Sequence, residues 1–333
     1  MVAVSPSWGG PAAFPHVFEA GLDVLRSWDL DVREARTVRW SPDALAADPA
    51  ARAADCNAAF ADPEVRAVFA SIGGDDSIRL LPYLDRAVIA AHPKILMGYS
   101  DTTVLLSAVR RAGVVAFHGP AVMAGVAQLP ALEPSAAAHV RDMLFGLAQS
   151  AELPSLAHVS HGYPDWRDPS LARRVNAPAP ARPWRVLQGA PDSVVSGELA
   201  GGCLEVLDWL RGTWAWPDPE DWDGRLLLIE TSEENPSALQ VTRMLRVLGT
   251  IGVFDRVSAM LLGRWRDRSP DEAREVEAAI TDLVGGEFGR PQLPVVANLP
   301  FGHTDPQWVL PLGVRATLDV ARAVLRLDEP WLA

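Results

Sequence analysis

Three short stretches of this chain hold residue types that could together perform acyl transfer: Ser100 in "KILMGYSDTTVLLSAV", Glu230 in "GRLLLIETSEE" and His303 in "ANLPFGHTDPQ". Each lies just past an apolar run of β character. In open parallel sheets that is where ligands bind, beyond the carboxyl ends of the strands. A serine hydroxyl needs a base to become a nucleophile, and an imidazole needs a carboxylate to fix its tautomer and stabilise its charged form.

Every one of these residues has a plainer reading. "SDTT" offers several good helix caps after a strand, and G-x-S-D lacks the second glycine of the G-x-S-x-G elbow, so from spacing alone Ser100 reads as a cap before a nucleophile. Glu230 could be a strand-end surface carboxylate, with Glu233 and Glu234 as close competitors. Of the seven histidines, His16 and His139 fall in helical patterns and His92 and His158 in linkers, which leaves His118, His161 and His303. His303 sits in a Pro/Gly/Asp turn, where a side chain is displayed instead of buried. "GGDD", Gly73 to Asp76, follows another strand and could bring backbone N–H groups to a ligand, although an ordinary capped turn reads the same way.

Other chemistries find little support. There is no H-E-x-x-H and no clustered His/Cys/Asp spacing for a metal, no P-loop, and no G-x-G-x-x-G for a dinucleotide. Cys56 and Cys203 lie far apart and read as buried free thiols. The net charge of −12, with no Lys/Arg run, removes the electrostatic term that nucleic-acid binding requires. No apolar run reaches membrane-spanning length and the start "MVAVSPSWGG" lacks a signal-peptide pattern, so a cytoplasmic protein is expected.

The elements that must position these residues follow from periodicity. Through residues 1–150, short β runs alternate with helical patterns, as βαβ units and a parallel sheet require. "VAVSPS", "LDVREA", Ala67 to Ile72, Lys94 to Tyr99 and "VVAFHGP" read as strands. Phe14, Phe18, Leu22 and Leu25 share one helical face, a second helix turns Ile78, Leu81 and Leu84 inward, and another begins at Asp101. From 151 to 195 the periodicity stops in Pro-, Asp- and Arg-rich sequence, read as a linker and an irregular loop. Residues 196–333 resume as a second, more β-rich α/β unit, with "GRLLLIE", "VSAMLLGRW", "LPVVANLP" and "ATLDVARAVLRL" strand-like.

Taken together, "SIGGDDSIRLLPYLD", "PKILMGYSDTTVLL", "FHGP", "GGCLEVLDWLRGT", "LLLIETSEE" and "NLPFGHTDP" resemble the serine LD-carboxypeptidase and microcin C immunity protein family, in order and spacing over nearly the whole chain. The resemblance implies a flavodoxin-like parallel-sheet N-terminal domain, a smaller β-rich C-terminal domain and an active site in the cleft between them. It implies a Ser100–Glu230–His303 triad without metal or cofactor, and an oxyanion hole from the backbone N–H groups of Gly74 and Asp101, with Gly73 an alternative to Gly74. Trp166 and Trp184 become candidates for stacking on a flat substrate group. Cys203 stands where some members have asparagine, and Glu234 where a phosphate-binding lysine is expected, so both are candidate substrate contacts that weaken a nucleotide reading. The implied substrate is a murein LD-peptide or an aminoacyl-nucleotide amide, and the implied assembly a homodimer. The alternative is a non-catalytic small-ligand or peptide binding protein on the same scaffold.

Overall fold

The computed structural model describes residues 1–147 and 152–332; the expected boundary at 150/151 lies outside the described residues. Two sheets organise the chain. The first has six strands, in the order Leu310–Leu312, Ala116–His118, Ile95–Gly98, Ala67–Ala70, Val2–Val4 and Arg33–Glu34. All its pairings are parallel except the first, where Leu310–Leu312 runs antiparallel to Ala116–His118. A strand from near the C-terminus therefore completes the N-terminal sheet, delivered by the segment that carries His303.

The second sheet has seven strands. Its centre is parallel, Val194–Cys203, Leu226–Glu230, Ala259–Gly263 and Val295–Leu299 in that order. Antiparallel strands flank it: Arg315–Asp319 and Val324–Leu327 on one side, Arg185–Gln188 on the other. Every residue of Leu226–Glu230 and Ala259–Gly263, in the middle of this sheet, is buried, as parallel strands covered by helices must be. "ATLDVARAVLRL" proves to be a hairpin and not one strand, turning at Ala323 with φ +51°.

Helices cover the sheets along the faces that the sequence marks. Pro15–Arg26 buries Phe18, Leu22 and Leu25 completely, while Phe14 stays only partly covered at the helix start. Ser237 and Ser269 cap Ala238–Thr250 and Pro270–Thr281 through capping boxes with Gln240 and Glu272, which satisfies N–H groups a helix start otherwise orphans. The expected helix around Leu81 is a 3₁₀ segment, Ser77–Tyr83, that buries Leu80 and Leu81; Pro82 prevents a regular α-helix there.

The irregular stretch is ordered by the second half of the chain. His158–Val159 pairs with Ala179–Pro180, and Ser160 exchanges backbone hydrogen bonds with Asp305, of 2.6 and 3.0 Å. The buried guanidinium of Arg264 donates to the carbonyls of Leu156, His158 and Pro306. The loop is thereby pinned beside the turn that holds His303.

Candidate active site

Ser100 follows the strand Ile95–Gly98 and opens a 3₁₀ turn, Ser100–Thr102, which leads into the helix Thr103–Arg111. Its φ is +60°, a left-handed conformation that a non-glycine residue adopts at a cost. Neither the turn nor the helix receives a side-chain cap. The capping reading of Ser100 thus fails: the hydroxyl is lifted off the helix start instead of being folded onto it.

The neighbouring residue, Asp101, turns the other way and is fully buried. Its Oδ2 accepts from Ser7 Oγ at 2.5 Å and from the Ser77 N–H at 2.8 Å, and its carbonyl accepts from Ser77 Oγ at 2.8 Å. Burial raises the Asp101 carboxyl, and the hydrogen bonds from Ser7 and Ser77 oppose that. These bonds clamp the serine turn to Ser77, at the end of the "GGDD" loop, and to Ser7, in the segment after the strand Val2–Val4. A Cβ on Gly73 would sit 2.8 Å from both Cβ and Oγ of Ser100, so only glycine lets this backbone approach the hydroxyl. Gly74, at φ +150°, is hemmed in by Ser7 and Trp8. Among the described residues, neither the Gly73 nor the Gly74 N–H donates to a protein acceptor, which leaves both free for a ligand oxygen.

Glu230 ends its strand and is 1 % exposed. His303 follows Val295–Leu299 and is 6 % exposed, in the turn "FGHTDP". His303 Nδ1 lies 2.6 Å from Glu230 Oε2. Burial alone would push the Glu230 carboxyl up, but the His303 charge, then His118, hold it down at about 2. Burial likewise opposes the charged form of His303, and Glu230, with Glu233 and Glu205 behind it, more than offsets this and raises it. Gly302, at φ +94°, leaves room for the Glu230 side chain, which a Cβ there would strike at 2.7 Å.

Among the described residues, His303 Nε2 has no hydrogen-bond partner, although Glu233 Oε2 is 3.3 Å away. His118, buried at the end of Ala116–His118, approaches the other Glu230 oxygen at 3.7 Å, longer than a hydrogen bond. The Tyr99 ring packs edge-on against His303 at 4.8 Å. Behind Glu230, Glu205 accepts from Ser232 N and Oγ at 2.9 and 2.8 Å, fixing the path of "ETSEE".

Ser100 and His303 line one cleft of about 480 Å³, together with Gly73, Gly74, Glu233 and Arg266. Its far wall is aromatic. Trp166 stacks on Tyr163 at 5.3 Å and meets Phe14 edge-on at 5.7 Å, while Tyr163 donates to Asp305 Oδ2 at 2.6 Å. The chemistry available is that of an acyl transferase: a displayed hydroxyl, an imidazole with an unpartnered nitrogen, a buried carboxylate behind it and free backbone donors beside the hydroxyl.

The structure gathers some of the sequence candidates here and leaves others out. Ser100, Gly74, Trp166 and His303 line the cleft, with Glu230 behind His303. Trp184 does not; it packs edge-on against Trp308 at 5.7 Å. Cys203 is buried beside Glu230 in the sheet register, its thiol 3.4 Å from Glu205 and raised by burial, then by Glu230 and Glu205. Glu234 is exposed and outside the cleft lining, whereas Glu233 is part of it. Arg266, Tyr163 and Trp8 complete the cleft without any signal in the sequence beyond proximity to other motifs.

Comparison with known proteins gives the family and the fold of the chain. The LD-carboxypeptidase N-terminal domain matches residues 2–119 and the LD-carboxypeptidase C-terminal domain residues 196–318. The chain belongs to the LD-carboxypeptidase family and is a serine peptidase. A Streptomyces coelicolor relative is 34% identical over all of this chain and 94% of its own length. The microcin C7 self-immunity protein MccF of Escherichia coli is 30% identical over 85% of this chain and 79% of its own, and the murein tetrapeptide carboxypeptidase of Pseudomonas aeruginosa 29% identical over 91% and 88%. Among solved structures, MccF in complex with glutamyl sulfamoyl guanosine superposes with a TM-score of 0.87 at 26% identity, covering 100% of this chain and 96% of that one. An MccF-like protein from Streptococcus pneumoniae in complex with AMP gives 0.86 at 26% identity, covering 98% of each. Both the expected family and the expected two-part α/β fold are borne out.

Proposed function

We propose that Ser100, His303 and Glu230 form the catalytic triad of a carboxypeptidase that hydrolyses an amide next to a free carboxylate. The observation that carries this reading is the buried 2.6 Å contact between His303 Nδ1 and Glu230, on an imidazole whose Nε2 has no hydrogen-bond partner and which shares a cleft with Ser100. His303 removes the Ser100 proton as the hydroxyl attacks the amide carbonyl, then delivers it to the departing amine; water repeats the cycle on the acyl-enzyme. Glu230 keeps the proton on Nδ1 and stabilises the imidazolium. Backbone N–H groups of Gly74, or Gly73, and Asp101 receive the oxyanion.

Arg266 is the only arginine or lysine among the described residues of the cleft lining and serves the substrate carboxylate, a pairing that guanidinium geometry favours. Its side chain is 21% exposed and lies beside Asp267 at 3.1 Å and Glu233 at 3.9 Å. An LD-peptide with a free C-terminus meets these requirements. Residues 1–150 and 196–333 serve as the two domains, with Leu310–Leu312 crossing to the first sheet, and 151–195 as the linker and substrate loop, whose strand Arg185–Gln188 joins the second sheet; homodimerisation rests on the family resemblance.

A second substrate, an aminoacyl-nucleotide, is favoured by the stacked Tyr163–Trp166 wall, a platform for a flat base. Glu233 in the lining opposes a phosphate there. Incubating the protein with a murein tetrapeptide and with an aspartyl sulfamoyl nucleotide, and following released D-alanine or nucleotide product by mass spectrometry, separates the two. Turnover of neither, by a protein that still binds them, would refute the hydrolase reading.

A further inference from the structure

The strand Ala259–Gly263 runs on into Arg264-Trp265-Arg266-Asp267-Arg268. Arg266 faces the catalytic cleft, but Arg264 and Arg268 line a separate cavity of about 180 Å³, closed on its other side by His161 and Arg182 of the pinned loop and by Arg185 of the edge strand. Four arginines therefore line a space too small for a peptide or nucleotide. The only carboxylate in the lining is Glu277, and it is already taken by Arg185 and by the Trp265 indole N–H.

Among the described residues, the other three arginines form no ion pair. Arg264 is 4 % exposed, holds only backbone carbonyls, and its Nε is buried without a partner. Arg268 donates to the Pro236 carbonyl and lies over the Trp265 ring at 5.9 Å, and its Nε is likewise unpartnered. Arg182 is exposed, and among the described residues its guanidinium has neither an ion pair nor a hydrogen bond. Glu133 acts on Arg264 only through its charge, and Glu272, Glu205 and Glu275 do the same on Arg268, so neither guanidinium is held by a contacting carboxylate, in a chain with a net charge of −12. Burying a guanidinium without an anion is costly, and burial does push Arg264 down to about 10.

The remaining polar groups add donors. His161 Nδ1 accepts from the Asp267 N–H at 3.0 Å, which places the proton of the neutral ring on Nε2. Burial, then the cations Arg266, Arg264 and Arg182, lower His161 against the pull of Asp267 and keep it neutral. Asn298 Nδ2 is already engaged with the carbonyls of Arg182 and Pro183. A small concave site lined by donors, with its one carboxylate spent, matches a tetrahedral oxyanion.

We propose that this cavity binds inorganic phosphate and that the bound anion ties the loop carrying Tyr163 and Trp166 to the strand end carrying Arg266. The inference does not depend on which substrate the cleft hydrolyses, nor on the triad. The test is calorimetric titration of the full chain with inorganic phosphate at constant ionic strength, against chloride as control. One saturable site is expected, weakened about tenfold or more by Arg182→Ala and by Arg268→Ala. Arg182 is exposed, so its loss leaves the fold intact. Arg266→Ala, which empties the cleft of its cation, leaves phosphate binding unchanged. Absence of saturable binding, survival of full affinity in Arg182→Ala, or loss of binding in Arg266→Ala would each overturn the proposal.

Discussion

His303 Nδ1 and Glu230 Oε2 stand 2.6 Å apart, an imidazole and a carboxylate brought together from the ends of two strands and sealed from solvent. Glu230 is held at about 2, below the ordinary 4.5, and His303 is raised above 6.5. The base works only when neutral, so kcat/KM climbs with pH along an acid limb whose midpoint lies above 6.5. Glu230→Gln removes the charge that raises His303, so the midpoint moves to lower pH and the plateau falls by on the order of 10⁴-fold. A pH–rate profile of both proteins checks this.

The same pair sets a stability window. The contribution of Glu230 is present above 4.5 and is lost as pH falls toward about 2. That of His303 is complete below 6.5 and is lost as pH rises through its raised folded value. The stability advantage of the wild type over Glu230→Gln in urea unfolding is therefore greatest between 4.5 and 6.5 and shrinks on either side.

At Ser100, catalysis and backbone strain pull in opposite directions. With φ at +60°, Ser100→Gly relieves a conformation that Ser100→Ala retains. Both variants lose turnover, yet Ser100→Gly unfolds with about 1 kcal/mol more free energy than Ser100→Ala. Equilibrium denaturation of the two variants measures that difference.

Gly73→Ala places a methyl 2.8 Å from Ser100 Oγ and displaces the hydroxyl. A shift of that order lowers kcat by about 10²-fold. Thermal unfolding moves little beside this loss, because the clamp through Asp101, Ser7 and Ser77 persists. Single-turnover rates and melting curves separate the two effects.

Arg266→Ala removes the cleft's cation and raises KM for carboxylate-terminated substrates about tenfold to a hundredfold, with a smaller change in kcat. The substrate amidated at its C-terminus loses that discrimination between wild type and variant. Steady-state kinetics with the acid and amide forms reads it out.

Much of this was legible in the sequence because it is written in periodicity. The strand runs ending at Gly98, Glu230 and Leu299 are short, apolar and followed by turn residues, so the positions just after them mark one end of each sheet. What spacing could not give was the direction of a side chain. By residue type Ser100 reads as a cap because "SDTT" satisfies capping preferences, but neither helix start takes a side-chain cap and Ser100, at φ +60°, lines the cleft. Trp184 looked like Trp166, both tryptophans on an aperiodic loop, but one stacks on Tyr163 at the cleft and the other anchors against Trp308. Arg266 was silent because alternating arginines in "GRWRDR" read as a strand end; which of them meets the cleft depends on the loop packed opposite.

The central claim is that Ser100 is the nucleophile activated by His303, and reaction with a fluorophosphonate serine probe followed by peptide mass mapping tests it most directly. The account predicts one adduct, on the peptide containing Ser100, absent in Ser100→Ala and formed about 10³-fold more slowly in His303→Ala. An adduct elsewhere, or undiminished peptide hydrolysis by purified Ser100→Ala, would contradict it.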